Sequence, residues 1–332
     1  MTLNLPPRLP LAFLPTPLEP LAHLRAALQA EDASCPVPRL LIKRDDQTGL
    51  ASGGNKTRKL EYLLADAQAR GCDTVLTVGA PQSNHCRQTA AAAARAGLRC
   101  VLVLGGNAPH LEGGNLLLDR LFGAQIVWAG EQDRLALLEA IAHLHAEAGF
   151  HPYVITYGGS SAFGAVGYVA ALAELQAQAQ AASWPIDHVV TASSSGGTQA
   201  GLAVGARLTG FSGQIHGISI DSDADSLCAI LTELTNATAA LLAADQSFTP
   251  ADFSVHDAYL GGGYGVLGHA EREAISLLAR CEGILADPVY TGRALAGLLD
   301  LIRRGYFSAD ETVVFWHTGG LPALFAYAEQ LL

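Results

Sequence analysis

The chain has 332 residues, of which half are hydrophobic and 15% are charged. That composition describes one large domain or two packed lobes with a sizeable core, and it excludes a disordered chain. The formal net charge of −11 and the lack of Lys/Arg-rich runs argue against nucleic acid and against a membrane surface as partners.

Mean hydropathy is positive, so a membrane span has to be weighed. The longest suspect stretch without Asp, Glu, Lys or Arg, Ala148 to Ala173, is interrupted by Pro152 and by Gly and Ser pairs, and reads as strand, loop and helix. Pro6, Pro7, Pro10, Pro15 and Pro17 break the N-terminal apolar residues, so no signal peptide is expected. Cys35, Cys72, Cys86, Cys100, Cys228 and Cys281 form no CxxC pair and read as buried free thiols of a reducing cytoplasm.

The first informative element is "SGGNKTRKLEYLLADA", Ser52 to Ala67. Leu60, Leu63, Leu64 and Ala67 at i, i+3, i+4 and i+7 predict a helix from about Thr57 to Ala69 that stops at Gly71, with Gly53, Gly54 and Asn55 as a flexible lead. Lys56, Arg58 and Lys59 stand at its start, the positive end of the helix dipole, where carboxylates are expected. Either an anion comes to that end or the cations are solvated. The segment is no Walker loop, because GxxxxGKS/T is absent.

"DTVLTVGA" (Asp73–Ala80) predicts a buried strand and Ser83–Gly97 the helix after it. Gln82, Ser83, Asn84 and His85 crowd that helix start, more hydrogen-bonding side chains than an N-cap needs, and they suit a carboxylate. "RCVLVLGG", "GNLLLDRLFG" and "AQIVWAG" continue as strand, helix and strand. Asp133–Gly149 predicts a helix with Leu137, Ile141 and Leu144 on one face. "PYVITYGG" and "AFGAVGYVAALAELQAQAQA" repeat the alternation. "TASSSGGTQAGL" (Thr191–Leu202) sets three Ser, two Gly and a Thr between strand and helix, where amides and hydroxyls can cup a phosphate. "QIHGISID" and "EREAISLLARCEG" add a strand and a helix, and "FWHTGGLPAL" brings His317 and Thr318 onto a Gly pair before the last helix. This alternation implies an α/β protein with parallel sheets covered on both faces and ligands beyond the carboxyl ends of the strands.

Other patterns lead elsewhere. "GYGVLG" (Gly263–Gly268) matches GxGxxG with Asp287 at roughly ribose distance, but the preceding "SVHDAYLG" is a poor buried strand. His143, His145 and Glu147 are spaced i, i+2, i+4 and do not share one helix face, so no metal site is expected. A GxSxG nucleophile elbow is absent.

Taken in order, "PTPLEPLAHL", "LLIKRDDQTGLASGGNKTRKLEYLLADA", "QSNHCRQTAAAAA", "SSSGGTQAGL", "EGILADPVYTGRALAGLLD" and "HTGGLPALFAY" resemble the PLP-dependent family of D-cysteine desulfhydrase and 1-aminocyclopropane-1-carboxylate (ACC) deaminase, nearly end to end. The resemblance implies the tryptophan-synthase-β-like fold, fold type II: a large PLP-binding domain of residues 1–55 and 167–332 with a smaller α/β domain, 56–166, inserted into it. It implies that Lys56 bonds the PLP aldehyde covalently, and that Lys59 faces the phosphate while Ser195, Gly196, Gly197 and Thr198 cup it. Asn84 would bond the ring 3-oxygen and Thr318 would sit on the cofactor. Gln82, Ser83 and His85 would surround the substrate carboxylate, beside Asn84. Tyr264 and Tyr290 match the family's active-site tyrosine pair, which gives the GxGxxG match a different explanation. Lys56, Ser83, Tyr264 and Tyr290 are the candidate catalytic residues, and Arg58, left without a role, is expected to be a solvated surface charge.

ACC deaminases have Glu after the "DPVY" tyrosine and Leu after the last strand's His, where this chain has Thr291 and Thr318. A Thr near the cofactor ring supplies no charge, which makes a weaker electron sink suited to a good leaving group such as thiolate. The resemblance therefore implies α,β-elimination on D-cysteine by a homodimeric cytoplasmic enzyme. L-cysteate sulfo-lyase, with His85 or His317 facing a sulfonate, is the alternative, and ACC deaminase ranks lower. A PLP carrier without turnover and a nucleotide-dependent oxidoreductase are rivals from other classes.

Overall fold

Apolar β-rich runs form the strands. The computed structural model of the chain describes residues 3–110 and 112–331. Its ten strands among those residues are β1 (Leu18–Pro20), β2 (Arg39–Arg44), β3 (Thr74–Gly79), β4 (Arg99–Leu104), β5 (Gln125–Trp128), β6 (Pro152–Val154), β7 (His188–Ser193), β8 (Gln214–Ser219), β9 (Ser254–His256) and β10 (Thr312–His317). They make a six-stranded sheet in the order β1-β2-β10-β7-β8-β9 and a four-stranded sheet in the order β5-β4-β3-β6. Only β1 runs antiparallel to its neighbour. β3, β7 and β10 lie inside their sheets and are buried at every position, as parallel strands covered on both faces must be.

Alternation along β10 shows how the core is divided. Val313 and Phe315 pack with Leu24, Leu278, Leu295 and Leu298 from the helices Ala22–Glu31, His269–Glu282 and Thr291–Arg303. Val314 and Trp316 face the other way, onto Tyr168, Leu172 and Leu202 from the helices Ala162–Ala182 and Gly197–Thr209. The small sheet repeats the scheme. Val75 and Leu102 pack toward the helices Lys56–Ala69 and Asn84–Ala96, while Val78 and Val101 pack on Leu138 of the helix Arg134–Glu147.

That last helix corrects an expectation. Leu138 is its buried residue, with Leu137 and Ile141 half-buried beside it, and Leu144 is 60% exposed. The apolar stripe is turned by one residue, so that Leu138, Ile141 and Ala142 meet the sheet. The segment read as a poor buried strand contains a three-residue, half-buried edge strand, β9.

The helix Ala162–Ala182 joins the two halves. It touches Lys56–Ala69 at Gly167, where an added Cβ would lie 2.3 Å from the Arg58 carbonyl. It touches Gly197–Thr209 at Gly201, where an added Cβ would lie 2.2 Å from the Ala165 carbonyl. Backbone-to-backbone packing at these two glycines sets the starts of both neighbouring helices relative to one another. Among the described residues, no helix is long and apolar enough to cross a membrane.

Candidate active site

The carboxyl ends of β3, β7 and β10 open onto one cleft of about 590 Å³, counting the solvent at its mouth. This is where loops of a parallel sheet place ligands. Helix Lys56–Ala69 contributes Asn55, Lys56 and Lys59; the loop after β3 contributes Ser83, Asn84 and His85. The turn after β7 contributes Ser194 to Thr198, and Tyr157, Tyr290 and Thr318 complete the wall.

Lys56 and Lys59 sit side by side, and no carboxylate among the described residues offsets either charge. Burial lowers the Lys56 amine to about 8, although the neighbouring Lys59 amine acts in the opposite direction. Lys59 is 1% exposed, and burial followed by the Lys56 charge pushes it well below an ordinary lysine. Its Nζ donates to the Gly158 carbonyl (3.2 Å) and to Ser160 Oγ (3.1 Å). Ser160 Oγ also accepts from the Gly197 amide (3.1 Å) and shares a hydrogen bond with Ser195 Oγ (2.7 Å). Helix Gly197–Thr209 starts on Gly196 in the left-handed region (φ 78°) with no side-chain cap. An added Cβ at Gly197 would lie 2.8 Å from Lys59 Nζ, so glycine admits the lysine to the helix terminus. A lysine and a helix N-terminus facing each other are two positive elements, and this arrangement suits a bound phosphate. The neighbouring amine, partly neutral near pH 8, suits capture of an aldehyde.

Arg58 is not a solvated charge. Its side chain is 2% exposed and donates from Nε and Nη2 to Asp45 (2.9 and 2.8 Å), from Nη1 to Glu174 (3.1 Å) and from Nη2 to Thr16 Oγ1 (2.9 Å). Burial opposes its charge, but Asp45 and Glu174 outweigh it and raise its pKa. The same turn therefore sends two lysines into the cleft and one arginine into a buried ion-pair network.

Other residues taken from the sequence divide the same way. Gln82 does not line the cleft. Its side chain donates to the Gly113 carbonyl (3.0 Å) and accepts from the Asn115 amide (2.9 Å), holding the start of the helix Gly114–Leu121. Thr291 is fully buried, and its hydroxyl donates to Asp287 Oδ1 and accepts from the Asp287 amide, both at 2.7 Å. Asp287, the ribose-distance carboxylate of the GxGxxG match, also accepts from the Val289 and Tyr290 amides and is buried. His85 lines the cleft, with Nε2 2.9 Å from Thr77 Oγ1. The Thr77 hydrogen goes to the Ile155 carbonyl (2.8 Å), so Nε2 is the protonated nitrogen and Nδ1 is an acceptor. Burial, then Lys56 and Lys59, push His85 well below an ordinary histidine, so it is neutral. His317 donates to the Leu285 carbonyl and accepts from the Gly319 amide, and it does not line the cleft.

Tyr264, 37% exposed on its loop, shares a 2.7 Å hydrogen bond with Tyr290, which lines the cleft. Sequence reasoning missed the third member of this group. Tyr157 lines the cleft with Tyr290 and shares an adjoining recess with Tyr264. Burial raises all three phenols, so each keeps its proton at neutral pH. The available signal was a tyrosine directly before the Gly pair in "ITYGGS", at the carboxyl end of β6. Among the described residues, no grouping of His, Cys, Asp or Glu suits a metal ion.

The chain is 46% identical over 327 residues to a D-cysteine desulfhydrase of Salmonella choleraesuis, covering 97% of this chain and 96% of that one. A Salmonella typhi D-cysteine desulfhydrase is 45% identical over the same shares. The solved structure of an ACC deaminase homologue superposes with a TM-score of 0.88 at 36% identity, over 98% of this chain and 95% of that one. The processed form of threonine deaminase isoform 2 from Solanum lycopersicum shares the fold, with a TM-score of 0.66 at 17% identity over 95% of this chain and 82% of that one. The family described as "Pyridoxal-phosphate dependent enzyme" matches residues 9–319, and its fold type II architecture and its cofactor are those of this chain. The chain is therefore a member of the pyridoxal-phosphate dependent enzyme family.

Proposed function

We propose that the chain catalyses α,β-elimination on a small β-substituted amino acid, D-cysteine first, giving pyruvate, hydrogen sulfide and ammonia with one water consumed. The observation that carries this reading is the buried Lys56 amine beside Lys59, with Lys59 facing the Gly196-led start of helix Gly197–Thr209. The names of the close relatives point to D-cysteine.

Bound PLP supplies an electron sink for the carbanion at the substrate α-carbon. Lys56 would anchor the cofactor, and its amine, when free, would be the base placed to take the substrate α-proton. Lys59, Ser195, Thr198 and the amides of Gly196 and Gly197 would hold the phosphate, Asn84 would donate to the ring 3-oxygen, and Thr318 would border the ring; all of them line the cleft. The Ser83 hydroxyl oxygen accepts from the Cys86 amide (3.1 Å), which leaves its hydrogen for the substrate carboxylate. Tyr290, backed by Tyr264 and Tyr157, holds a proton for the departing sulfur. Gln82 and Thr291 act behind the cleft, not on the substrate, because their polar atoms are engaged elsewhere.

His85 is neutral and His317 lies outside the cleft, so neither presents a cation to a sulfonate there, which favours D-cysteine over L-cysteate. The two sheets support a smaller unit near residues 56–166 set into a larger one of 1–55 and 167–332. Six free cysteines support a cytoplasmic location, and the family resemblance supports a homodimer. The test is a side-by-side assay of D-cysteine, L-cysteate and ACC. Pyruvate with sulfide from D-cysteine alone is expected; 2-oxobutyrate from ACC or sulfite from L-cysteate as the main product overturns the assignment.

A further inference from the structure

The Asn84 side chain meets the cleft on one side and a buried set of donors on the other. Arg87, fully buried, donates from Nη2 to the Gly53 carbonyl (2.7 Å) and from Nη1 to Asn115 Oδ1 (2.8 Å) and Asn84 Oδ1 (3.3 Å). A guanidinium only donates, so the Asn115 atom facing it is oxygen. The Asn115 nitrogen then donates to the Gln82 carbonyl (2.8 Å) and to Asn84 (2.9 Å). The Gln82 carbonyl only accepts, which fixes the Asn115 amide a second time. The Asn84 atom facing both donors must therefore be its oxygen, and its nitrogen turns away from them. Reversing any member would leave buried donors facing donors, which is unfavourable because neither can find water instead.

We propose that Arg87 and Asn115 are positioning residues that lock the Asn84 amide with its NH2 toward the 3-oxygen of the cofactor ring; this rests on reading the cleft as a PLP site. Two donors on Oδ1 also polarise the amide and strengthen its N–H as a donor. Burial lowers Arg87 to about 10, with Asp119 and Asp287 opposing it, so the guanidinium remains charged at neutral pH. A donor on the ring 3-oxygen weakens that oxygen's hold on the proton it shares with the neighbouring nitrogen. The visible absorption of the bound cofactor then titrates at lower pH than it would without the lock.

The experiment is a pH titration of the visible band of the purified holoenzyme. Asn115→Asp keeps side-chain size and an acceptor for Arg87, but sets an acceptor where Asn84 Oδ1 needs a donor. It should raise the apparent pKa of the band by about one unit, the worth of one hydrogen bond to a charged group. Asn84→Ala should raise it in the same sense, and adding Asn115→Asp to Asn84→Ala should move it no further. Arg87→Lys, which keeps the charge and loses the forked geometry, should give a smaller shift of the same sign. An unchanged or lowered pKa in the Asn115 and Arg87 variants, or additive shifts in the double variant, overturns the lock and leaves the PLP reading intact. A wild-type protein that develops no visible band with added PLP at any pH overturns both.

Discussion

One turn of one helix carries two kinds of cation. Lys56 and Lys59 face the cleft, depressed in pKa and unaccompanied by any carboxylate among the described residues. Arg58, between them in sequence, faces the interior with Asp45, Glu174 and Thr16 around it and a raised pKa. Burial opposes charge on both sides; what differs is whether the protein brings its own counter-charge. Where it does, the cation ties parts of the fold together. Where it does not, the arrangement suits an anion from outside.

The comparison breaks first at Lys56. Lys56→Ala should lower elimination by about a thousandfold or more and abolish the visible band of the bound cofactor, read by pyruvate assay and absorption. Arg58→Met should do the reverse. It leaves Asp45 and Glu174 short of a partner and should cost about 3–5 kcal/mol in denaturant unfolding, while the folded fraction keeps its band. Lys59→Gln removes one charge-assisted bond to the phosphate and should weaken cofactor affinity about 10–100-fold in a fluorescence titration, with little change in stability of the cofactor-free protein.

The smallest effect is in pH. The folded Lys56 amine releases its proton near 8, against an ordinary value of 10.5, so the unfolded chain holds more protons between those values. Stability of the cofactor-free protein should therefore rise with pH across that window, and Lys56→Ala should flatten the rise. The rate of PLP capture should climb through about pH 8 as the neutral amine becomes available.

The sequence made the cleft legible because its loops follow strands. Glycines and hydroxyls in "SSSGGT" after β7 and the polar run after β3 announce themselves locally. Arg58 was not legible. Its partners Asp45 and Glu174 lie 13 and 116 residues away, and nothing local separates a paired cation from a solvated one. Gln82 and Thr291 misled for the opposite reason. They adjoin Ser83 and Tyr290 in sequence, but a hydrogen bond to a neighbouring backbone turns each away from the cleft. Tyr157 is hard to read because it follows a three-residue strand and comes near Tyr264 and Tyr290 only through the tertiary fold. The helix at 134–147 lies within two residues of the span the pattern predicts, yet its buried stripe is turned by one position, since two similar apolar stripes compete in "RLALLEAIAHL".

The division of roles within this turn can be tested by reducing the PLP-loaded protein with borohydride, digesting it and locating the added pyridoxyl mass by mass spectrometry. The expected result is the mass on Lys56 alone, with Lys59 unmodified. Modification of Lys59, or of any lysine outside this helix, would contradict it.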